Sequence, residues 1–139
     1  MRRLVVDTNI YIDWFNAGRH EHILFERDTV KYLSAVVLME LRAGAFSSSD
    51  RRIVRRVESA FGKAGRILLP SHAVFAEAGD MLRRLQIGRD FSIETSHSIV
   101  GDVLIALSAR SIAATVVTQN QRHDRAIQAV RPFQLVIVE

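Results

Sequence analysis

Four oxygen-bearing side chains lie far apart in this 139-residue chain, each beside apolar sequence. They belong to Asp7, Glu40, Asp102 and Asn120. Asp7 ends the first apolar run, Glu40 follows a longer one, and Asp102 is the only charged residue between positions 94 and 110. Asn120 comes two residues after the run 113–118. Apolar surroundings are unusual for side chains of this kind, so the four are candidates for chemistry.

The chemistry follows from the cost of burying charge. An unpaired carboxylate is expensive to bury, and three of them in one small domain repel one another unless a cation lies between them. A divalent metal ion is the cation that such a set would bind, because Mg²⁺ is held by carboxylate oxygens. The pattern therefore predicts a metal-dependent hydrolase.

Each of these residues also has a simpler interpretation when taken alone. Asp7 is well placed to cap a helix, Glu40 is compatible with an exposed position near Arg42, and Asn120 is a common turn residue. Asp102 is harder to assign to an ordinary structural role, because an acid on so apolar a helix usually has a partner. The set is more informative than its members if all four meet at one place.

Apolar runs and helical periodicities alternate along the whole chain. Strands are predicted at Leu4–Val6, Val30–Leu33, Arg66–Leu69, Ala114–Thr118 and Gln134–Val138, and helices at about 8–16, 35–43, 51–63, 71–87, 99–110 and 124–130, with a short amphipathic segment at His22–Arg27. The strands are nearly continuous in Val, Ile and Leu, which is typical of a parallel sheet covered on both faces. We expect one α/β domain, 1–139, with a mostly parallel sheet flanked by helices.

Small polar residues and glycines predict where the helices begin and end. Ser34 and Ser71 are expected as N-caps, and Gly44 and Gly88 as helix stops. Loops are expected at 47–50 and 92–98.

This arrangement predicts where the four residues meet. Ligands bind outside the carboxyl ends of parallel strands, and Asp7 and Asn120 each follow such an end. Glu40 and Asp102 lie on helices among small or apolar neighbours, so the helix faces that carry them should point toward the sheet edge. Gly101 is expected to let another backbone approach Asp102.

Composition narrows the possible functions. The chain has no cysteine, which excludes disulfides, thiolate metal sites and cysteine nucleophiles. The first apolar stretch ends at Asp7, too soon for a secretory signal, and no run approaches the roughly 20 residues that would span a bilayer. We therefore expect a soluble, cytoplasmic protein without membrane contact.

Positive charge is carried almost entirely by arginine. The net charge is +4, and Lys31 and Lys63 are the only lysines. Arginines cluster at 51–56 and at 83–89. Such clusters are compatible with phosphate contacts to RNA, or with ordinary solvated helix faces.

The chain resembles the PIN-domain ribonucleases and, within them, the VapC-type toxins of toxin–antitoxin pairs. The matching segments run from the N-terminus to the last turn and preserve the family's order and spacing. They are Val5-Val6-Asp7-Thr8-Asn9, Ser34 with Glu40-Leu41, Gly101-Asp102-Val103-Leu104-Ile105-Ala106, and Val116-Val117-Thr118-Gln119-Asn120.

The resemblance implies a set of roles for these residues. Asp7, Glu40 and Asp102 would be the acidic triad around Mg²⁺ or Mn²⁺, and Asn120 would take a fourth position that many members fill with Asp. Thr8, Asn9 and Thr118 are candidates for supporting the carboxylates. The segment 121–124 departs from the family pattern, which leaves open whether Asp124 or His123 replaces the usual fourth acid.

The implied function is that of a metal-dependent endoribonuclease toxin that cleaves RNA, is inhibited by an antitoxin and forms a homodimer. Trp14 and Phe15 are candidate dimer contacts or core residues. A nuclease of routine RNA processing is an alternative of the same class. From another class, the chain could be a catalytically silent RNA-binding or scaffold module, favoured if Asn120 has left the site unable to hold metal.

Overall fold

The computed structural model describes residues 1–89, 91–94 and 98–139. Strands and helices alternate along these segments. The strands are β1 (Arg2–Val6), β2 (Thr29–Ser34), β3 (Ile67–Leu68), β4 (Thr115–Thr118) and β5 (Gln134–Ile137). The helices are α1 (Thr8–Ala17), α2 (Glu21–Leu24), α3 (Ala35–Ala43), α4 (Ser48–Lys63), α5 (His72–Gly88), α6 (Ser98–Ser111) and α7 (Gln121–Val130).

The five strands form one parallel sheet in the order β3-β2-β1-β4-β5. The first strand is therefore central, with Val5 paired to Tyr32 on one side and to Val116 on the other. Residues 4–6 of β1 are buried, as a strand covered on both faces must be. The predicted α/β fold with a parallel sheet flanked by helices is confirmed.

Local capping chemistry explains where several helices begin. The Ser34 hydroxyl accepts hydrogen bonds from the backbone nitrogens of Val36 and Val37, and the Ser71 hydroxyl accepts one from Val74. Both predicted N-caps are confirmed. At the other end of α1, Gly18 adopts the left-handed conformation with φ of 66°, which glycine reaches without a steric penalty.

Two helices begin three residues earlier than the sequence predicted. The Ser47 hydroxyl accepts from the Asp50 nitrogen at 3.0 Å, so most of the loop predicted at 47–50 is the first turn of α4. Asn120 caps α7 in the same way, and that helix starts at Gln121 rather than Asp124. The sequence predicted a loop and a cap over the whole of 47–50, and it indicated a turn or site residue at Asn120 rather than the cap of the last helix.

Smaller differences concern the element ends. β3 holds only two residues because it pairs with β2 only at Leu33 and Ser34, and β1 extends back to Arg2 along its pairing with β2. The amphipathic segment predicted at 22–27 is the four-residue helix α2. Residues 95–97 of the loop predicted at 92–98 lie outside the described residues.

The helix α6 packs deepest against the sheet. Most of its side chains are buried, including Ile99, Val103 and Ile105, so Asp102 lies on the most enclosed helix of the described chain. No helix in the described segments is long and apolar enough to cross a membrane.

The Ser34 cap provides a test of how α3 is held. Ser34 is fully buried, so Ser34→Ala removes an acceptor for two backbone N–H groups and should lower the unfolding free energy by about 1 kcal/mol. Urea unfolding measures this difference. Ser59→Ala, on the exposed part of α4, is the control and should leave stability nearly unchanged; an equal loss in both variants would contradict the capping role.

Candidate active site

The carboxyl ends of β1 and β4 lie side by side and bring distant residues together. The Asp7 nitrogen donates to the Val117 carbonyl at 2.9 Å, which extends the pairing of the two strands to the edge. Gln119 and Asn120 follow β4 at the same edge. Asp7 and Asn120 therefore meet where the parallel-sheet argument predicted.

Asp7 is buried and fully engaged in hydrogen bonds. Its Oδ1 accepts from the Thr8 nitrogen at 2.8 Å, which caps α1. Its Oδ2 accepts from the Thr118 hydroxyl at 2.6 Å and from the Asn9 amide at 3.4 Å. Burial raises the pKa of the Asp7 carboxyl, and these donors oppose that shift. Asp7 is therefore both a helix cap and a member of the group at the sheet edge.

Glu40 reaches the same region from α3. Its Oε1 accepts from the Thr8 hydroxyl at 2.9 Å, and burial raises the pKa of its carboxyl. The simpler interpretation, an exposed Glu near Arg42, does not hold, because Arg42 pairs with Glu58 instead.

Gly101 shapes the contact between α3 and α6. A Cβ at this position would lie 3.5 Å from the Glu40 Oε2 atom and 3.5 Å from a Val36 methyl. The nearest atoms to this position are side-chain atoms of α3 at ordinary contact distance, and the close approach of another backbone to Gly101 stays a prediction.

Asp102 and Asn120 are in direct contact. The Asn120 amide donates to the Asp102 Oδ2 at 3.0 Å, while the Asn120 Oδ1 accepts from the His123 nitrogen at 3.5 Å. The His123 Nδ1 lies 2.7 Å from the same Asp102 oxygen. Asn120 thus joins α6 to the start of α7, and His123 covers one oxygen of Asp102.

Asp124 adds a fourth carboxylate. It lies in the first turn of α7 and is 2% exposed. Burial, followed by the negative charge of Asp7, raises its pKa to about 7, and the Thr118 hydroxyl opposes that shift. The sequence left open whether Asp124 or His123 occupies this place, and the structure brings both to the edge.

The four carboxylates interact electrostatically. Burial, followed by the negative charges of Asp7, Asp124 and Glu40 in that order of size, raises the pKa of Asp102 to about 9, and the hydrogen bond from Asn120 opposes that shift. Within the described segments, none of the four forms an ion pair with an arginine or lysine. Clustered negative charge without a basic partner creates a demand for an added cation.

The donor chemistry fits a hard divalent cation, because carboxylate oxygens are what Mg²⁺ and Mn²⁺ prefer. The distances between these side chains are a separate requirement. In residues 1–89, 91–94 and 98–139, no three His, Asp or Glu side chains lie near enough to one another to hold a metal ion.

Thr118 connects the two halves of the site. Its hydroxyl donates to Asp7 and accepts from the Asn120 nitrogen at 3.0 Å and the Asn9 amide at 3.3 Å. Thr8 holds Glu40 and Asn9 reaches Asp7, so all three predicted supporting residues contact the site.

The contacts of two residues near the site were not predicted from the sequence. His123 was named only as a substitute acid, and its position three residues after an Asn cap was the available signal. Gln119 donates through its side-chain amide to Asp13 at 2.8 Å and lies 2.8 Å from the His20 Nε2. No local sequence pattern links these three residues, because the contact depends on how α1 packs beside β4.

Comparison with known proteins gives one family and a consistent set of structural neighbours. The family model described as PIN domain matches residues 4–127. No curated protein matches the chain. A chain of the DNA-bound VapBC complex from Salmonella typhimurium is 25% identical, with a TM-score of 0.72 and coverage of 99% of this chain and 98% of that one.

Two further structures share the fold at lower identity. A chain of VapBC2 from Rickettsia felis, bound to a promoter DNA fragment, is 22% identical with a TM-score of 0.71, and each chain is 99% covered. A chain of VapBC-5 from Mycobacterium tuberculosis, described as a member of the VapBC family of toxin–antitoxin systems, is 21% identical with a TM-score of 0.63. The match covers 99% of this chain and 100% of that one.

The raised pKa values predict how stability depends on pH in metal-free protein. Folded Asp102 binds its proton more tightly than unfolded Asp102, so stability falls as pH rises from about 4 to about 9. Asp102→Asn should flatten this decline and raise the unfolding free energy at pH 8 by about 1–3 kcal/mol. Urea unfolding in a chelator across this pH range measures both effects.

Asp28→Asn is the matched control, because Asp28 is exposed. It should keep the wild-type pH profile. A wild-type profile that is flat, or that rises between pH 5 and 9, would contradict the repulsion inferred at the sheet edge.

Proposed function

Because the chain belongs to the PIN-domain family, we propose that it is the toxin of a toxin–antitoxin pair and a metal-dependent endoribonuclease. The reaction is hydrolysis of RNA phosphodiester bonds. One observation carries the proposal: four buried or half-buried carboxylates, just after β1 and on α3, α6 and α7, approach one sheet edge and have no arginine or lysine partner among the described residues. Burial raises the pKa of each, and neighbouring negative charge adds to the rise for Glu40, Asp102 and Asp124.

Asp7, Glu40 and Asp102 would hold Mg²⁺ or Mn²⁺, with Asp124 as the fourth acid and Asn120 beside them. When bound, such an ion supplies a water of lowered pKa as the nucleophile and offsets charge on the phosphate oxygens. The cation would also lower the pKa values of the carboxyl groups, since opposite charge favours the ionised form.

The chain's own residues would orient the ligands. Thr118 and Asn9 fix Oδ2 of Asp7, while the Thr8 nitrogen fixes Oδ1. The Thr8 hydroxyl holds one oxygen of Glu40 and leaves the other toward Gly101. Asn120 and His123 both engage Oδ2 of Asp102, so Oδ1 of that carboxylate is the atom left for a ligand role.

A partner protein is the second element of the proposal. The structural neighbours are chains of VapBC complexes, some of them bound to DNA. This chain exposes an apolar groove of about 350 Å³ whose walls include Trp14, Phe25 and Phe61. Tyr11 also lines it, and its buried hydroxyl has no hydrogen-bond partner in the described part of the chain. Such a surface supports an antitoxin contact.

A homodimer is part of the same proposal. Trp14 and Phe15 pack against each other with ring centroids 5.5 Å apart, and both remain partly exposed. Their exposed parts are therefore available to a second chain, and Phe15 also packs against the core.

A catalytically silent RNA-binding module is the second candidate. It is favoured by the contact of His123 with Asp102 at 2.7 Å and by the lack of three close ligands among the described side chains. In that case His123, rather than a metal ion, would be the permanent partner of Asp102.

Asp7→Asn separates the two candidates. With Mg²⁺ or Mn²⁺ the wild-type protein should cleave RNA, and Asp7→Asn should lower the rate by at least about 100-fold, because a lost ligand removes metal affinity and nucleophile positioning together. Induced expression should arrest growth with the wild type alone. Gel analysis of labelled RNA and growth curves provide the measurements.

Asp28→Asn is the expression control and should arrest growth like the wild type. If the wild type binds RNA but cleaves none with either metal, and Asp7→Asn binds it equally well, the silent module is the correct function. Cleavage without growth arrest would instead indicate a nuclease of RNA processing.

Thr118 tests the supporting contacts. Thr118→Val keeps the shape but removes the donor to Asp7, and it should weaken metal affinity or activity by about 10- to 100-fold. Thr115→Val is a matched control on the same strand, because Thr115 is also buried but bonds to Gln134. Metal titration by calorimetry gives the readout, and equal losses in both variants would rule out a specific role for Thr118.

A further inference from the structure

The arginines of α4 divide between two surfaces. Arg51 and Arg55, one turn apart, line a cavity of about 350 Å³ together with Arg42 from α3. Arg56 instead borders the apolar groove, beside Lys31. The first surface, formed by Arg42, Arg51 and Arg55 and called here the arginine cavity, concentrates three guanidinium groups around one space.

The positive charge of this cavity is mostly unbalanced. Arg42 pairs with Glu58, but Arg51 donates to the Phe46 carbonyl at 2.8 Å and Arg55 to the Arg51 carbonyl at 3.3 Å. Backbone carbonyls orient a guanidinium group without neutralising it. Across the described residues, no carboxylate forms an ion pair with Arg51 or Arg55.

The position of Arg51 adds to the imbalance. It lies in the first turn of α4, where the positive end of the helix dipole disfavours a cation. Asp50, in the same turn, offsets part of this cost. An anionic ligand would offset this cost and would pair with the charges of Arg51 and Arg55 that no carboxylate neutralises among the described residues.

The arginine cavity adjoins the carboxylate site. Ala45 and Val54 line it and also line a smaller cavity of about 140 Å³, and Glu40 lies on the wall of that second cavity. Arg42 follows Glu40 by two residues on α3. A chain of phosphates that passes Glu40 would therefore meet the arginines next.

We propose that the arginine cavity binds backbone phosphates of the RNA strand, adjacent to the bond positioned at the four carboxylates. This inference rests on the proposed function, because it assigns a second binding site to the same substrate. Arginine forks match phosphate geometry with two parallel hydrogen bonds. The site would hold the strand in register while the carboxylates act on one bond.

Phe46 favours single-stranded RNA as the occupant. Its side chain is 86% exposed beside the arginine cavity, and its carbonyl anchors Arg51. Proteins that bind unpaired strands combine a positive groove with aromatic rings on which bases stack. An acidic protein segment would use the charge but not the ring in this way.

The test measures binding and cleavage separately. A fluorescent single-stranded RNA of about ten nucleotides is titrated with the full chain in a chelator, so that no cleavage occurs. Arg51→Ala with Arg55→Ala should raise Kd by at least about 10-fold at 100 mM salt, and the slope of log Kd against log salt should fall by about 1.4, for two lost phosphate contacts.

Arg2→Ala with Arg3→Ala is the matched control, since it removes the same charge from the exposed start of β1, at the end of the strand opposite to Asp7. Its Kd should change by less than about 3-fold, and equal losses in both double variants would overturn a specific site. The single Arg55→Ala variant guards against misfolding, because Arg55 bonds only within its own helix. It should show an intermediate loss with an unchanged thermal unfolding midpoint.

Two comparisons separate this inference from the proposed function. If the wild type cleaves RNA while the double variant binds and cleaves like it, the arginine site is wrong and the nuclease stands. If the wild type cleaves nothing but the double variant loses binding, the site stands and the nuclease falls. Competition by polyglutamate as strong as by RNA of equal charge would overturn RNA as the occupant.

Discussion

Repulsion between buried carboxylates is the constraint on which the rest of the structure depends. Burial raises the pKa values of Asp7, Glu40, Asp102 and Asp124, and the charges of neighbouring carboxylates add to that rise for the last three. The fold partly offsets this cost. Asp7 caps α1 and Asp124 lies in the first turn of α7, so two of the charges face the positive ends of helix dipoles.

Uncharged hydrogen-bond donors offset part of the remaining free-energy cost of burying these carboxylates. Thr8, Asn9, Thr118 and Asn120 each direct a hydroxyl or amide group at a carboxylate. A neutral donor lowers a carboxyl pKa without cancelling its charge, whereas an arginine would cancel it and leave nothing for a cation. The basic residues accordingly lie outside this group, as Arg42 does when it pairs with Glu58.

Much of this arrangement could be predicted from the sequence because strands, caps and the sheet edge follow local rules. Asp7 and Asn120 meet because carboxyl ends of parallel strands share an edge, and Ser34 caps α3 as its side chain suggests. The start of α7 could not be placed, because Asn120 resembles a loop residue until its contact with Asp102 is known. The contacts of His123 with Asp102 and of Gln119 with Asp13 depend on helix packing, which has no local signature.

The central position of β1 has a consequence for biosynthesis. Its partner β4 and the helix that carries Asp124 lie more than 100 residues further along the chain. Pairing such distant segments costs loop-closure entropy before any stabilising contact forms. A nascent chain that still lacks those segments contains Asp7 but not the β4 residues, Val117 and Thr118, to which Asp7 bonds. Assembly of the carboxylate group must therefore wait until β4 and α7 have been synthesised, so this group is a late product of folding even though Asp7 is among the first residues made.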